Sequence, residues 1–233
     1  MGTSLIVEFY RELPERREED DPREWLVRMQ AALSKFQKKT AERYSEGTLQ
    51  RLMDCPDPQA RRAAVLALGL MGTMDSNKAL AGRLRDDDRQ VRQLANDALW
   101  SIWFRGDSAE HSAELQRVIA LRDRAKALAG LDALIRKAPK FAEAYNQRAI
   151  LYFRMNEFEK AIADCEKVLQ FNPYHYGALS GMGQAQLNLR RPQAALKSFR
   201  KALQINPHLE GVQDTIRALE NALGEEEKPE DKK

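Results

Sequence analysis

Three prolines, Pro139, Pro173 and Pro207, stand 34 residues apart. They constrain the fold more than any other feature, because other rows keep the same interval. Ala127, Ala161 and Ala195 form one such row, Ile135, Leu169 and Leu203 a second, and Leu131, Cys165 and Phe199 a third. The phrase VLQFNPYH from Val168 returns as ALQINPHL from Ala202. Proline cannot continue a helix, so each one ends a helix and opens the next unit. The alanine row lets two helices cross closely. The larger apolar rows need a cover that a single helical hairpin cannot supply, so successive hairpins must stack.

A second interval lies upstream. DPQARRAAVLALG from Asp57 and DRQVRQLANDALW from Asp88 are offset by 31 residues. Arg61 aligns with Arg92, Ala64 with Ala95, Ala67 with Ala98 and Leu68 with Leu99, while Leu49 and Met53 align with Leu80 and Leu84. Each copy reads as a short helix, a turn opened by Asp, and a second helix with small and apolar residues on one face. Two such units are too few to stand alone and need caps. PREWLVRMQAALSKFQKKTAERY places Trp25, Met29, Leu33 and Phe36 on one helical face and is expected to cover the first unit. Trp100, Trp103 and Phe104 are expected at the junction of the two arrays, with RGDS from Arg105 as the turn between them. A rigid rod is the favoured arrangement, since these aromatics would otherwise form an exposed apolar patch. GVQDTIRALENAL predicts a closing helix with Val212, Ile216, Leu219 and Leu223 on its apolar side.

The fold class expected is all-α: a right-handed α-solenoid of helical hairpins. Aromatics at 7% and frequent Ala and Leu suit stacked helices better than a β-sandwich. The expected divisions are a charged segment over 1–22, the upstream array with its cap over 23–107, the proline-marked array with its closing helix over 108–223, and a disordered tail over 224–233. The run from Glu12 to Glu24, with Pro14 and Pro22, is expected to be mobile or weakly helical.

Charge and cysteine content exclude little but point one way. A net charge of +3 arises from many charges of both signs, whereas a dedicated nucleic-acid binder gathers its positive charge on one face. Cys55 and Cys165 lie far apart, form no CxxC pair, and read as reduced thiols. The opening stretch, Met1 to Arg17, lacks both the basic segment and the cleavage site of a signal peptide. The expected location is cytoplasmic.

A search for chemistry finds none to defend. His111, His175 and His208 are the only histidines, and the last two fall in repeat turns, where a solvated role is expected. Asp86 to Asp88 lacks the alternating ligands of a calcium loop, and Asp88 aligns with Asp57 as a helix cap. GMGQAQ from Gly181 fails the dinucleotide pattern and lies inside a helix, with Gly183 at the small position of the repeat. The expectation is no enzyme, no cofactor and no metal.

The proline-marked unit resembles the tetratricopeptide repeat. Residues 142–175 carry Tyr145, Ala149, Tyr152, Ala161 and Pro173 at the positions of that pattern, and residues 176–209 keep Leu179, Gly183, Ala195, Phe199, Ala202 and Pro207. Residues 108–141 keep Leu115, Ala127 and Pro139 and are otherwise loose. The upstream unit resembles the HEAT-like repeat of the phycobilin-lyase group and of many scaffolds. The tetratricopeptide resemblance implies a concave groove lined by the first helix of each hairpin. Carried over residue by residue, it names Ser112 and Gln116 in the first unit, Glu143, Asn146, Ile150, Phe153 and Arg154 in the second, and Gly177, Ser180, Gln184, Leu187 and Asn188 in the third. The function implied is a scaffold or adaptor that holds a protein or peptide partner. The chaperone-binding subtype clamps a terminal carboxylate with Lys, Asn and Arg. Here Asn146 stands where that clamp has Lys, and Ile150 and Gly181 stand where it has Asn, so a chaperone tail is not expected, nor is a membrane. One alternative is a nucleic-acid-associated factor using Arg190, Arg191, Lys197, Arg200 and Lys201. A lyase-type chromophore enzyme is the other.

Overall fold

Helix after helix starts where the two intervals place it. The computed structural model describes residues 4–226, which hold thirteen α-helices, one short 3-10 turn and no strand. The chain divides into two compact units between Ile102 and Trp103.

The first unit contains α1 (Leu5–Arg11), α2 (Pro22–Ala41), α3 (Glu46–Leu52), α4 (Pro58–Met71), α5 (Asn77–Arg83) and most of α6 (Arg89–Phe104). Both ends of α3 recur in α5 at the upstream interval, and the start of α4 recurs in that of α6. The paired arginines explain the match. Arg61 Nη1 donates to the carbonyls of Cys55 and Pro56, both at 3.0 Å, and Arg92 Nη1 donates to those of Asp86 and Asp87 at 2.8 and 3.0 Å. Each guanidinium thus satisfies carbonyls that the preceding turn leaves open. The two hairpins are also tied by charge. Arg61 grips the buried Asp86 at 2.8 and 2.9 Å, and Arg62 pairs with Asp88, whose Oδ1 accepts the Val91 N–H at 2.9 Å to start α6. The Arg62 guanidinium holds the Asp88 carboxyl down to about 2. Asp88 is therefore the expected cap, and a cross-link besides.

The N-terminal segment is more ordered than its charge suggests. Ile6 and Val7 of α1 are fully buried, and α1 packs on α2 and α4. Its continuation is pinned by Glu12, which pairs with Lys35 and Lys39 of α2. The run expected to be mobile or weakly helical, Glu12 to Glu24, begins after this helix and holds no helix before Pro22. Helix α2 begins at Pro22, capped by Asp21, and turns Phe36 inward as expected.

The second unit contains α7 (Ala109–Ile119), α8 (Arg124–Lys137), α9 (Ala142–Arg154), α10 (Phe158–Phe171), α11 (Tyr176–Asn188), α12 (Pro192–Ile205) and α13 (Val212–Glu226). Both ends of α8 recur in α10 and again in α12 at the interval of the prolines, and those of α9 recur in α11. Asn172 and Asn206, each just before a repeat proline, are buried and accept the N–H two positions on, from Tyr174 at 3.2 Å and His208 at 3.1 Å. These turns close the second helices. Asn156 and Arg190, equivalent in the repeat register, take positive φ of 60° and 56° between first and second helices.

Two glycines mark close crossings. A Cβ on Gly183 would meet the Phe199 ring at 2.8 Å, and one on Gly130 would meet Val118 at 2.8 Å. Arg148 of α9 joins three helices, reaching Asp132 of α8 and Asp164 of α10, each at 2.7 Å. The core runs from Leu115 through Leu131, Tyr145 and Cys165 to Ala178, and a smaller cluster joins Phe199 to Ile216 of α13. Helix α13 continues to Glu226, past the expected end at Leu223. The rest of the expected tail, 227–233, lies outside the described residues. No helix among those described is long and apolar enough to cross a membrane.

Candidate partner-binding surface

The first helices of the three hairpins in the second unit, α7, α9 and α11, carry all twelve residues expected to meet a partner. They do not form one uniform face. The first turns are closed and the last turns open. Ser112, Glu143 and Asn146 are buried, whereas Gln116, Ile150, Arg154, Gln184 and Asn188 are exposed. Gly177, Ser180, Phe153 and Leu187 are half-buried. Phe153 sets its ring edge-on to Phe158 at 5.4 Å, and Leu187 leans on the Phe199 cluster. Asn188 donates to the Gln184 carbonyl at 2.9 Å.

A polar network closes the first turn of α9. Glu143 Oε1 accepts from Asn146 Nδ2 at 3.0 Å and from Gln147 Nε2 at 2.6 Å. Its Oε2 lies 3.0 Å from His175 Nε2, and both side chains are fully buried. His175 Nδ1 accepts the Ala178 N–H at 3.0 Å, which assigns the ring proton to Nε2 and makes His175 the cap of α11. Trp103 stacks on the imidazole at 4.1 Å and tilts against Tyr176 at 5.3 Å. A buried carboxylate needs this many donors, because burial without them costs several kcal/mol. One expectation is corrected here. His175 is a buried cap, not a solvated turn residue; Glu143 and Asn146, expected on the partner face, lie buried in an internal network. The buried Ser112 points its hydroxyl to no hydrogen-bond partner among the described residues, and Ser180 does the same.

The signal for His175 lies in the register. His175 occupies the position of Phe141 and Leu209 in the neighbouring repeats, an apolar row in which Phe141 is also buried. The inference from turn to solvent overlooked this row. Glu143 has Ala109 and Gly177 as its equivalents, one exposed and one half-buried, so the register holds no signal for its burial.

Other reactive groups are subdued. Burial pushes the Cys165 thiol up to about 12. No group of three or more His, Cys, Asp or Glu able to hold a metal ion occurs among the described residues. On the basic surface, Arg200 is bound by Glu220 at 2.6 Å and Arg191 by Glu159 at 3.5 Å.

Stacked helical hairpins with one open set of helix ends define the class of repeat scaffolds. The tetratricopeptide repeat model matches residues 142–175 and 176–209, and the model for HEAT repeats matches 19–100 and 45–134. The second HEAT match runs into the loose hairpin of α7 and α8. A TPR repeat-containing protein of Rhizobium etli is 33% identical over 144 residues, 60% of this chain and 70% of that one. The chain belongs to the tetratricopeptide repeat-containing proteins. Hsp70-Hsp90 organizing protein 1 of Glycine max is 28% identical over 83 residues, 36% of this chain but 14% of its own length. Among solved structures, the first TPR of Spaghetti (RPAP3) bound to the HSP90 peptide SRMEEVD is 21% identical, with a TM-score of 0.48, covering 51% of this chain and 96% of that one.

Proposed function

We propose that the protein is an interaction scaffold that binds a peptide or partner helix along the last turns of α7, α9 and α11. The observation that carries this reading is the split within each first helix. The first turn of α9 is locked by Glu143, Asn146 and His175, while Ile150, Arg154, Gln184 and Asn188 face outward with both apolar and hydrogen-bonding groups. Rigid helices hold these side chains, so little conformational freedom is lost on binding. In this reading the chain acts by holding a partner, not by turning over a substrate.

A chaperone tail does not fit the site. Asn146, at a clamp position, is buried and already donates to Glu143. The basic helix surface offers less free charge than its sequence suggests, since Arg191 and Arg200 have carboxylate partners.

The test is affinity capture from the native host, quantified by mass spectrometry, with the full chain beside an Ile150→Ala/Arg154→Ala variant. Both side chains are exposed, so the fold should persist by circular dichroism. The expected result is a loss of about tenfold in the specific partner. Undiminished capture by the variant would rule the assignment out.

A further inference from the structure

We infer that these open helix ends dock an acidic amphipathic segment of a partner protein, with its apolar side chains on a three-repeat row and its carboxylates on a rim of unpaired arginines. The inference rests on the function proposed above and adds the chemistry of the partner.

The row is set by the repeat. Ile119, Phe153 and Leu187 keep the interval of the prolines, each in the last turn of a first helix. Leu121 and Met155 keep the same interval just beyond the helix ends. Ile119, Leu121, Ile150 and Met155 are 39%, 45%, 37% and 39% exposed. Among the described side chains of residues 103–224, these four are the only exposed large apolar ones, so the exposure is concentrated at one end of the hairpins. Apolar surface gathered in this way marks a binding site more often than scattered single residues do.

Charge selects the occupant. The carboxylates at this end are already matched: Asp123 caps α8 and lies 4.0 Å from Lys126, Glu157 pairs with Lys160 at 3.2 Å, and Glu159 pairs with Arg191 at 3.5 Å. Arg122, Arg124, Arg154 and Arg190 are exposed, and among the described residues none of them forms a salt bridge. An apolar row bordered by four uncompensated guanidiniums complements a segment with apolar anchors on one side and Asp or Glu on the flanks. Guanidinium favours carboxylate through paired N–H donors. A basic segment would be repelled, and an uncharged one would leave the rim unused.

The experiment is selection of random linear peptides displayed on phage against the immobilised full chain, in parallel with an Arg122→Glu/Arg154→Glu/Arg190→Glu variant. Selected peptides are then synthesised and titrated by fluorescence anisotropy. The expected result is enrichment of Asp and Glu around Leu, Ile or Phe, a loss of about tenfold or more in affinity for the variant, and weaker binding as salt rises. Circular dichroism should show the variant as helical as the wild type. Peptides without acidic enrichment, or with equal affinity for the variant, would overturn the inference while leaving a peptide-binding scaffold intact. Selection of no peptide at all would overturn both readings. A mixed-sequence single-stranded oligonucleotide that binds as tightly as the peptides, and is lost on the same reversal, would overturn the choice of a protein partner.

Discussion

Gly181 and Gly183 sit close together in α11 and face opposite requirements. A Cβ at Gly183 collides with the Phe199 ring at 2.8 Å, while one at Gly181 meets nothing within 4 Å. Gly183→Ala should therefore destabilise the second unit by about 1–3 kcal/mol through overpacking. Gly181→Ala should stabilise it by roughly 0.5–1 kcal/mol through helix propensity. Thermal unfolding of the two variants, followed by circular dichroism, should move in opposite directions; a shared direction would show that the crossing is misplaced. The small position was legible from the repeat, but which glycine fills it follows only from the alignment of Gly183 with Ala149. Cysteine reactivity offers a second check. Burial raises the Cys165 thiol to about 12, so iodoacetamide should label Cys55 in the native chain and Cys165 only after unfolding. Mass spectrometry of the native sample showing label on Cys165 would contradict its burial.

At the level of elements, charge pairs join helices that the apolar rows only bring near. Arg148 bridges Asp132 of α8 and Asp164 of α10. Arg148→Met should cost about 3 kcal/mol, because it strands the buried Asp164 without its cation. A urea midpoint unchanged from wild type would show the clamp to be superficial. In the first unit, Arg62 depresses the Asp88 carboxyl to about 2, below its ordinary value near 4. A depressed carboxyl stabilises the fold above its unfolded pKa, and that contribution disappears as pH falls through the folded one. Urea stability of the first unit should thus decline from about pH 4 toward pH 2, and Asp88→Asn should flatten that decline while lowering stability at neutral pH. An unaltered acid profile in the variant would remove Asp88 from the account. These clamps were not legible beforehand. Periodicity reports which side chains are apolar and how far apart they recur, but a guanidinium finds its carboxylate only after the helices are placed. The alignment of Arg61 with Arg92 was the exception, since their shared role is local to each turn.

Across the whole chain, the all-helical architecture was readable because a repeat states its own constraint several times. Prolines, alanines and apolar rows agreed on helix bounds through three hairpins, and helix ends then recur at the spacing of the prolines. The candidate surface was readable only in part. Its helices were identified by register, but the depth at which each side chain lies depends on what stacks above it. Trp103, far from α9 in sequence, packs on His175 and helps to close the first-turn end that the repeat pattern alone leaves open. The loose hairpin of α7 and α8 shows the opposite failure. Its weak pattern hid Ile119 and Leu121, the two residues that carry the apolar row into a third repeat.

The most direct test of the binding surface is hydrogen–deuterium exchange of the full chain with and without a selected peptide. Slowed exchange confined to the last turns of α7, α9 and α11, with the first turns unchanged, is the predicted result. Protection on α8, α10 and α12, or in the first unit alone, would contradict the central claim.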